Sequence, residues 1–237
     1  NGAEINRVEE TMEKICTHYG IRTGEFFVLS NGIFTTMGSR REEVFAKVQH
    51  IPVSGAHLNK VAAVNQLSRE IEAGIHTLDD LDRCLDEIER MPGKRKIVQI
   101  LASAVGSGAF CYLFGGDLGD CAAAFISGFI LYIYILNFSK NRSKIVSNIL
   151  GGALVTFLCM IMYHLKFGHH ISSMIIGSVI PMIPGVAFTN AIRDIADGDY
   201  ISGSVRMLDA MLSFLSIALG VGLMFTMYQR VTGGILL

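Results

Sequence analysis

The period of the apolar positions changes several times along the chain. Over residues 4–19, Ile5, Val8, Met12 and Ile15 recur at three- and four-residue spacing with charges between them, which predicts an amphipathic helix ended by Gly20. Three short segments follow at 25–30, 32–37 and 44–51, rich in Phe, Val, Thr and Ile. The Asn31-Gly32 pair between the first two is a hairpin signal, so a small antiparallel sheet is expected. After Pro52 the helical period returns with Leu58, Val61, Val64, Leu67 and Ile71, closed by Gly74. Thr77 and Asp80 then form a capping-box-like pair ahead of the stripe Leu78, Leu81, Leu85 and Ile88, which ends at Met91-Pro92-Gly93. Residues 1–92 therefore read as a soluble α+β domain.

Beyond Lys94-Arg95-Lys96 the periodicity disappears into long apolar runs at 97–114, 119–138, 145–165, 171–189 and 207–228. Each is close to the roughly 20 residues that cross a bilayer as a helix. One such run is compatible with a buried helix of a soluble protein; five in succession are not. The expected fold is a membrane α-helical bundle of five transmembrane helices, residues 93–237, behind the N-terminal α+β domain. Ala124 with Gly128, Gly152 with Thr156, and Ser216 with Gly220 have small-xxx-small spacing, which predicts close helix packing. Gly106 and Gly108 are read the same way rather than as a phosphate loop, since no strand precedes them and no Lys follows.

Composition agrees: 51% of residues are hydrophobic and mean hydropathy is +0.44, more apolar surface than a water-soluble domain of this length accommodates. Charge is segregated, with 13 of 20 Lys/Arg and 15 of 21 Asp/Glu in residues 1–96. A net charge of −1 offers no basic surface for nucleic acid, so no nucleic-acid partner is expected. With the N-terminal domain on the cytoplasmic side, the inner segments carry Lys94, Arg95, Lys96, Lys140, Arg142, Lys144, Arg193 and Arg206, and the outer ones only Lys166 and Arg230. This predicts a multi-pass protein of the cytoplasmic membrane with loops 139–144 and 190–206 inside and Asp117, Asp120, Lys166, His169, His170 and the C-terminus outside. Glu4, Arg7, Glu9, Glu10, Glu13 and Lys14 interrupt any signal-peptide core, and a chain opening at Asn1 rather than Met reads as a trimmed form or a fragment. Cys16, Cys84, Cys111, Cys121 and Cys159 include no CxxC pair and read as small apolar residues. His164, His169 and His170 cluster, but no nearby Cys or carboxylate completes a ligand set, so neither metal nor cofactor is expected.

The unusual chemistry lies at 180–199. Pro181, Pro184 and Gly185 remove backbone donors inside an apolar run. At membrane depth the freed carbonyls are tolerated only against protein or a watery cavity, which makes a broken helix a candidate solute path, with a simple kink as the plain alternative. Asn190 follows, and then Arg193, Asp194, Asp197, Asp199 and Arg206, charges that an ordinary interfacial loop would also carry. Asp209 falls inside the last apolar run, where a carboxylate is costly unless paired or hydrated, with Arg206 or Arg193 as its expected partner. The substrate path is assigned to Pro181, Pro184, Gly185, Asn190, Arg193, Asp194, Arg206 and Asp209. The amide, guanidinium and backbone N–H groups would receive a carboxylate, and Asp209 an ammonium or a proton. No catalytic residues are assigned, since neither a GxSxG elbow nor a Walker A sequence is present.

The strand Glu25-Phe26-Phe27-Val28-Leu29, the helix Asn65-Gln66-Leu67-Ser68-Arg69-Glu70-Ile71, the Pro181-x-x-Pro184-Gly185 break and the following Asn190-Ala191-Ile192-Arg193-Asp194 together resemble the threonine/serine exporter family. The likeness covers nearly the whole chain, and its specificity lies in the order and spacing of modest motifs. The resemblance implies the larger, soluble-domain-bearing half of an exporter, either fused to a second bundle or working with a smaller membrane subunit. Because the chain stops soon after the fifth run, the split two-subunit type or a homo-oligomer is expected. Relatives of that type are linked to succinate as well as threonine and serine, so the small-molecule substrate stays open between a hydroxy amino acid and a dicarboxylate. Two rival readings remain: a membrane-anchored binding or sensor module, and a membrane enzyme using a site in the soluble domain. Five spans exceed what an anchor needs, and pairs such as Glu42-Glu43 and Asp79-Asp80 look like solvated helix faces.

Overall fold

A computed structural model describes residues 3–21, 23–38, 44–51, 57–139 and 142–232. Pro52, Glu42, Glu43, Lys140 and the C-terminal residues, all used above, lie outside the described residues. The chain is mostly helical and divides into two compact units: Asn1–Gly93 with Gly185–Leu208, and Lys94–Pro184 with Asp209–Leu237.

In the first unit, α1 (Ile5–His18) packs on β1 (Glu25–Leu29) and on α2 (Leu58–Glu72), which in turn packs on α3 (Leu78–Glu89). Gly20 and Gly74, both with left-handed backbone, end α1 and α2. β1, β2 (Gly32–Met37) and β3 (Phe45–His50) form a minor antiparallel sheet in that order. Leu29 pairs with Gly32, so Ser30 and Asn31 make the turn and Gly32 already belongs to the strand. The hairpin is correct and its turn is one residue earlier than expected. Thr77 and Asp80 complete the anticipated capping box. The core is small: Leu67, Ile71 and Leu81 are buried, with Ile15, Tyr19, Cys84 and Ile88 against them. Of the predicted α3 stripe, Leu78 and Leu85 are exposed, because α3 meets α2 chiefly through Leu81.

The second unit is built from α4 (Lys96–Leu113), α5 (Leu118–Phe138), α6 (Lys144–His164), α7 (Ile171–Val179) and the later part of α9 (Tyr200–Thr232). Its polarity is inverted relative to a water-soluble bundle. On α9, Leu212, Leu215, Leu219 and Leu223 point outward while Ser213, Ser216 and Gly220 are inside, as expected when helices associate through small residues and lipid takes the large ones. A Cβ on Gly220 would lie 2.0 Å from the Ile149 carbonyl oxygen of α6, and one on Gly128 would lie 3.1 Å from that of Ser103 on α4. These contacts account for two of the three small-residue pairs; across the α6–α9 contact, Gly152 faces the backbone of Ile217. Gly108 packs on the Cys121 carbonyl, but Gly106 meets nothing within 4 Å and is not a packing glycine.

Among the described residues four helices are long and apolar enough to cross a membrane, or five if Ile171–Met182 and Gly185–Ala196 count as one broken span. The break follows from covalent chemistry. Pro181 and Pro184 cannot donate to the preceding turn, α7 tightens into a 3-10 turn at Ile180–Met182, and Ile183, preceding a proline, is extended at φ −69° and ψ 124°. Helix α8 (Gly185–Ala196) then begins at Gly185. The expected loop over 190–206 is almost entirely helical: only Asp197, Gly198 and Asp199 separate α8 from α9, with Gly198 left-handed at φ 93°. Alternating apolar and small residues at Ala191, Ile195 and Gly203 let the two helices touch, the Gly203 position lying 3.1 Å from the Ala191 carbonyl oxygen.

Candidate functional site

Pro181 sits in the 3-10 turn, Pro184 in the break and Gly185 at the first position of α8, whose leading N–H groups have no intrahelical acceptor. Asn190, Arg193 and Asp194 follow on α8, and Arg206 lies in the second turn of α9. Within the first unit, Asp194 is 3% exposed and accepts from Arg206 Nη1 at 2.7 Å. It also accepts from the Ile5 N–H, so a buried ion pair caps the start of α1. Arg206, 19% exposed, reaches the Ala3 carbonyl at 3.3 Å as well. Arg193 pairs with Glu4 yet keeps 52% of its side chain exposed, and Asn6 Nδ2 donates to Asp197 Oδ2 at 3.2 Å. Three charges on α8 and α9, and Asp197 in the turn between them, thus converge on the beginning of α1.

Asp209 does not join that group. It pairs with Lys144 Nζ at 2.6 Å within the second unit and is 43% exposed, so the expected pairing with Arg206 or Arg193 is corrected. Arg206 is already committed to Asp194, and Lys144 at the first turn of α6 is the cation that reaches Asp209. Sequence reasoning missed Lys144 and Glu4 because their partners are 65 and 189 residues away, distances over which no local pattern carries information.

A second buried carboxylate was also missed as a centre. Asp120 is fully buried; its Oδ1 accepts from the His169 and His170 N–H groups at 2.7 and 3.0 Å, and its Oδ2 from His170 Nδ1 at 2.8 Å and the Asp117 N–H at 2.9 Å. One carboxylate therefore closes a capping box on α5 and also holds the N-terminus of α7. The statement that no carboxylate lies near the histidines is corrected, since Asp117, Asp120 and His170 offer ligand atoms within 4.8 Å of one another. Both Asp120 oxygens are saturated by N–H donors, so the arrangement works as a cap without an ion. The Asp117-x-x-Asp120 spacing ahead of an apolar run was the available signal.

Apolar helices with outward-facing leucines, small-residue interfaces and a proline-broken span define a multi-pass helical membrane protein. A family model described as "Putative threonine/serine exporter" matches residues 1–228, and the chain belongs to that family. Over 198 residues it is 28% identical to a "Threonine/serine exporter" of Corynebacterium glutamicum, covering 81% of this chain but 40% of that relative, so it spans about two fifths of that protein's length. Over 230 residues it is 23% identical to a "Probable succinate transporter subunit YjjP" of Klebsiella aerogenes, covering 96% of this chain and 88% of that one. No solved structure matches the chain.

Proposed function

We propose that the chain is a subunit of a secondary exporter that carries threonine, serine or a dicarboxylate such as succinate across the cytoplasmic membrane. The observation that carries the reading is the proline break followed by α8, which carries the half-exposed guanidinium of Arg193 two turns beyond the break, a group suited to a carboxylate. The path comprises Pro181, Pro184, Gly185, Asn190, Arg193, Asp194, Arg206 and Asp209. Within it the roles divide: Arg193 receives the solute carboxylate, whereas the Asp194–Arg206 pair holds α8, α9 and α1 in register. Glu4 occupies Arg193 until a solute displaces it. Asp209, paired with Lys144, is the group that would meet a solute ammonium.

A second, smaller membrane subunit completes the pathway in this reading. The word "subunit" in the name of the Klebsiella relative and the greater length of the Corynebacterium one support it. The N-terminal unit faces the cytoplasm, as the distribution of Lys and Arg supports. Impermeant thiol labelling of Leu118→Cys from outside and of Arg142→Cys only after permeabilisation is expected, and the reverse pattern would invert the topology.

Efflux of threonine, serine and succinate from preloaded cells tests the reading with Pro184→Ala, Asn190→Ala, Arg193→Gln and Asp209→Asn, each normalised to folded protein in the membrane. Arg193→Gln should cut efflux of the transported solute by about tenfold or more, the loss expected with one charge-assisted contact. If all four variants fold and export all three solutes at the parent rate, the path lies elsewhere.

A further inference from the structure

The second unit carries a concave, polar feature that the path does not use. Where α6 ends and the chain turns into α7, a half-open depression of about 470 Å³ is lined by Tyr163, His164, Lys166, Gly168 and His169. Its lining supplies one ammonium, two imidazoles and a phenol, with the buried Asp120 carboxylate directly behind Gly168 and His169.

Its walls are fixed from several directions. The Asp120 carboxylate holds the His169 and His170 N–H groups. Gly168 packs so closely that an added Cβ would lie 2.7 Å from Asp120 Oδ1, and Gly119 is likewise pressed on the Phe167 carbonyl. The His164 ring is tied to the Tyr228 hydroxyl of α9, with ring centroids 5.4 Å apart. Lys166 occupies the left-handed position that follows the helix, φ 56°, the sole non-glycine residue with positive φ among those described. Phe167 and Lys166 donate to the Met162 and Tyr163 carbonyls at 3.0 Å, the bonding of a helix terminus that ordinarily carries glycine there. A lysine kept where glycine is favoured costs conformational energy, and strain of this kind concentrates at functional positions.

The geometry points to a second binding site for a carboxylate-bearing solute, formed by Lys166, His164 and His169 at the end of the bundle where α6 stops and α7 starts. Its role as a station on the export route rests on the exporter reading; binding itself does not. Lys166 supplies the charge, and the imidazoles and the Tyr163 hydroxyl supply further donors. Because the ammonium and both imidazoles are exposed, the affinity is low, which suits a site from which solute is released.

Lys166 also provides a clean test, since Lys166→Gly removes the ammonium while relaxing the backbone, so loss of binding would not reflect unfolding. The purified full chain carrying Arg193→Gln, which removes the guanidinium assigned to the solute path, is titrated with succinate, with threonine and with inorganic phosphate, followed by calorimetry and thermal shift. Saturable binding of succinate or threonine, weakened about tenfold by Lys166→Gly and also weakened by His169→Gln, is the expected result. The two solutes reveal which carboxylate is taken. Binding that neither substitution changes overturns the site. Binding seen in the unmodified chain but abolished by Arg193→Gln alone also overturns it, while favouring the path at α8. Equal binding of phosphate overturns the carboxylate assignment. Absence of binding in every form overturns the site and leaves the exporter reading to the efflux assay.

Discussion

Asp120 and Asp194 are both buried carboxylates at helix termini, one in each unit, and they are stabilised in different ways. Asp120 is surrounded by four N–H contacts contributed by three residues of its own unit, and no Lys or Arg touches it among the described residues. Asp194 depends on a single guanidinium, Arg206, and on the Ile5 N–H. The first arrangement fixes a turn, since three of its four donors are backbone groups that cannot move without unfolding. The second is a pair of side chains beside a half-exposed arginine, and side chains can exchange partners with an incoming anion. Burial alone therefore does not make a carboxylate part of the proposed path; the two differ in the nature of the compensating partner.

The strongest test of that contrast is Asp120→Ala. It orphans the N–H groups of Asp117, His169 and His170, and at about 1 kcal/mol or more for each donor left unmade the fold should lose at least about 3 kcal/mol. Thermal unfolding of the purified protein should show the largest shift among charged-residue variants, and a near-parental transition would refute the capping role. Arg206→Gln comes next, because it leaves Asp194 as a buried charge, at about 3 kcal/mol given the partial exposure of the arginine. Adding Asp194→Asn to it should recover part of that loss in a double-mutant cycle; strictly additive losses would mean the two residues act separately.

Glu4→Gln should change stability by less than about 1 kcal/mol, as for an exposed pair, while freeing Arg193. Solute binding by this variant should tighten, and unaltered binding would remove Glu4 as a competitor. The smallest effect is at Asp80, where the Thr77 hydroxyl, and then its backbone N–H, hold the carboxyl below its usual range. A depressed folded-state value means the contribution is present above the unfolded carboxylate range and disappears as pH falls through the folded one. The stability difference between the parent and Asp80→Asn should therefore shrink on acidification below about pH 4, and a difference that grew in acid would contradict the capping box.

Much of the architecture was legible because it is local. Apolar run lengths located α4, α5, α6 and α9 to within a few residues at most ends, Thr77 and Asp80 marked a cap, and Pro181 and Pro184 marked the break. The apolar run predicts a start of α9 at Met207 rather than Tyr200, because Asp199, Arg206 and Asp209 look like loop charges until their partners are known. The candidate site was legible as a list but not as a set of pairs. Arg193 and Arg206 were identified, yet their link to Glu4 and Ala3 spans nearly the full chain, and Asp209 was given the wrong cation. Asp120 was seen only as an outer-loop charge, since nothing in its neighbourhood announces that residues 49 and 50 positions later will donate to it.

The central claim, that solute passes the α8 side of the proline break, is tested most directly by solute protection. Asn190→Cys is placed in a background where Cys16, Cys84 and Cys121 are serine, the remaining Cys111 and Cys159 being buried. Its rate of modification by a small hydrophilic thiol reagent is then measured with increasing threonine, serine or succinate, with Leu118→Cys as the distant control. The account predicts that modification at 190 slows saturably with the transported solute while that at 118 does not change; a rate at 190 that all three solutes leave unaltered would contradict it.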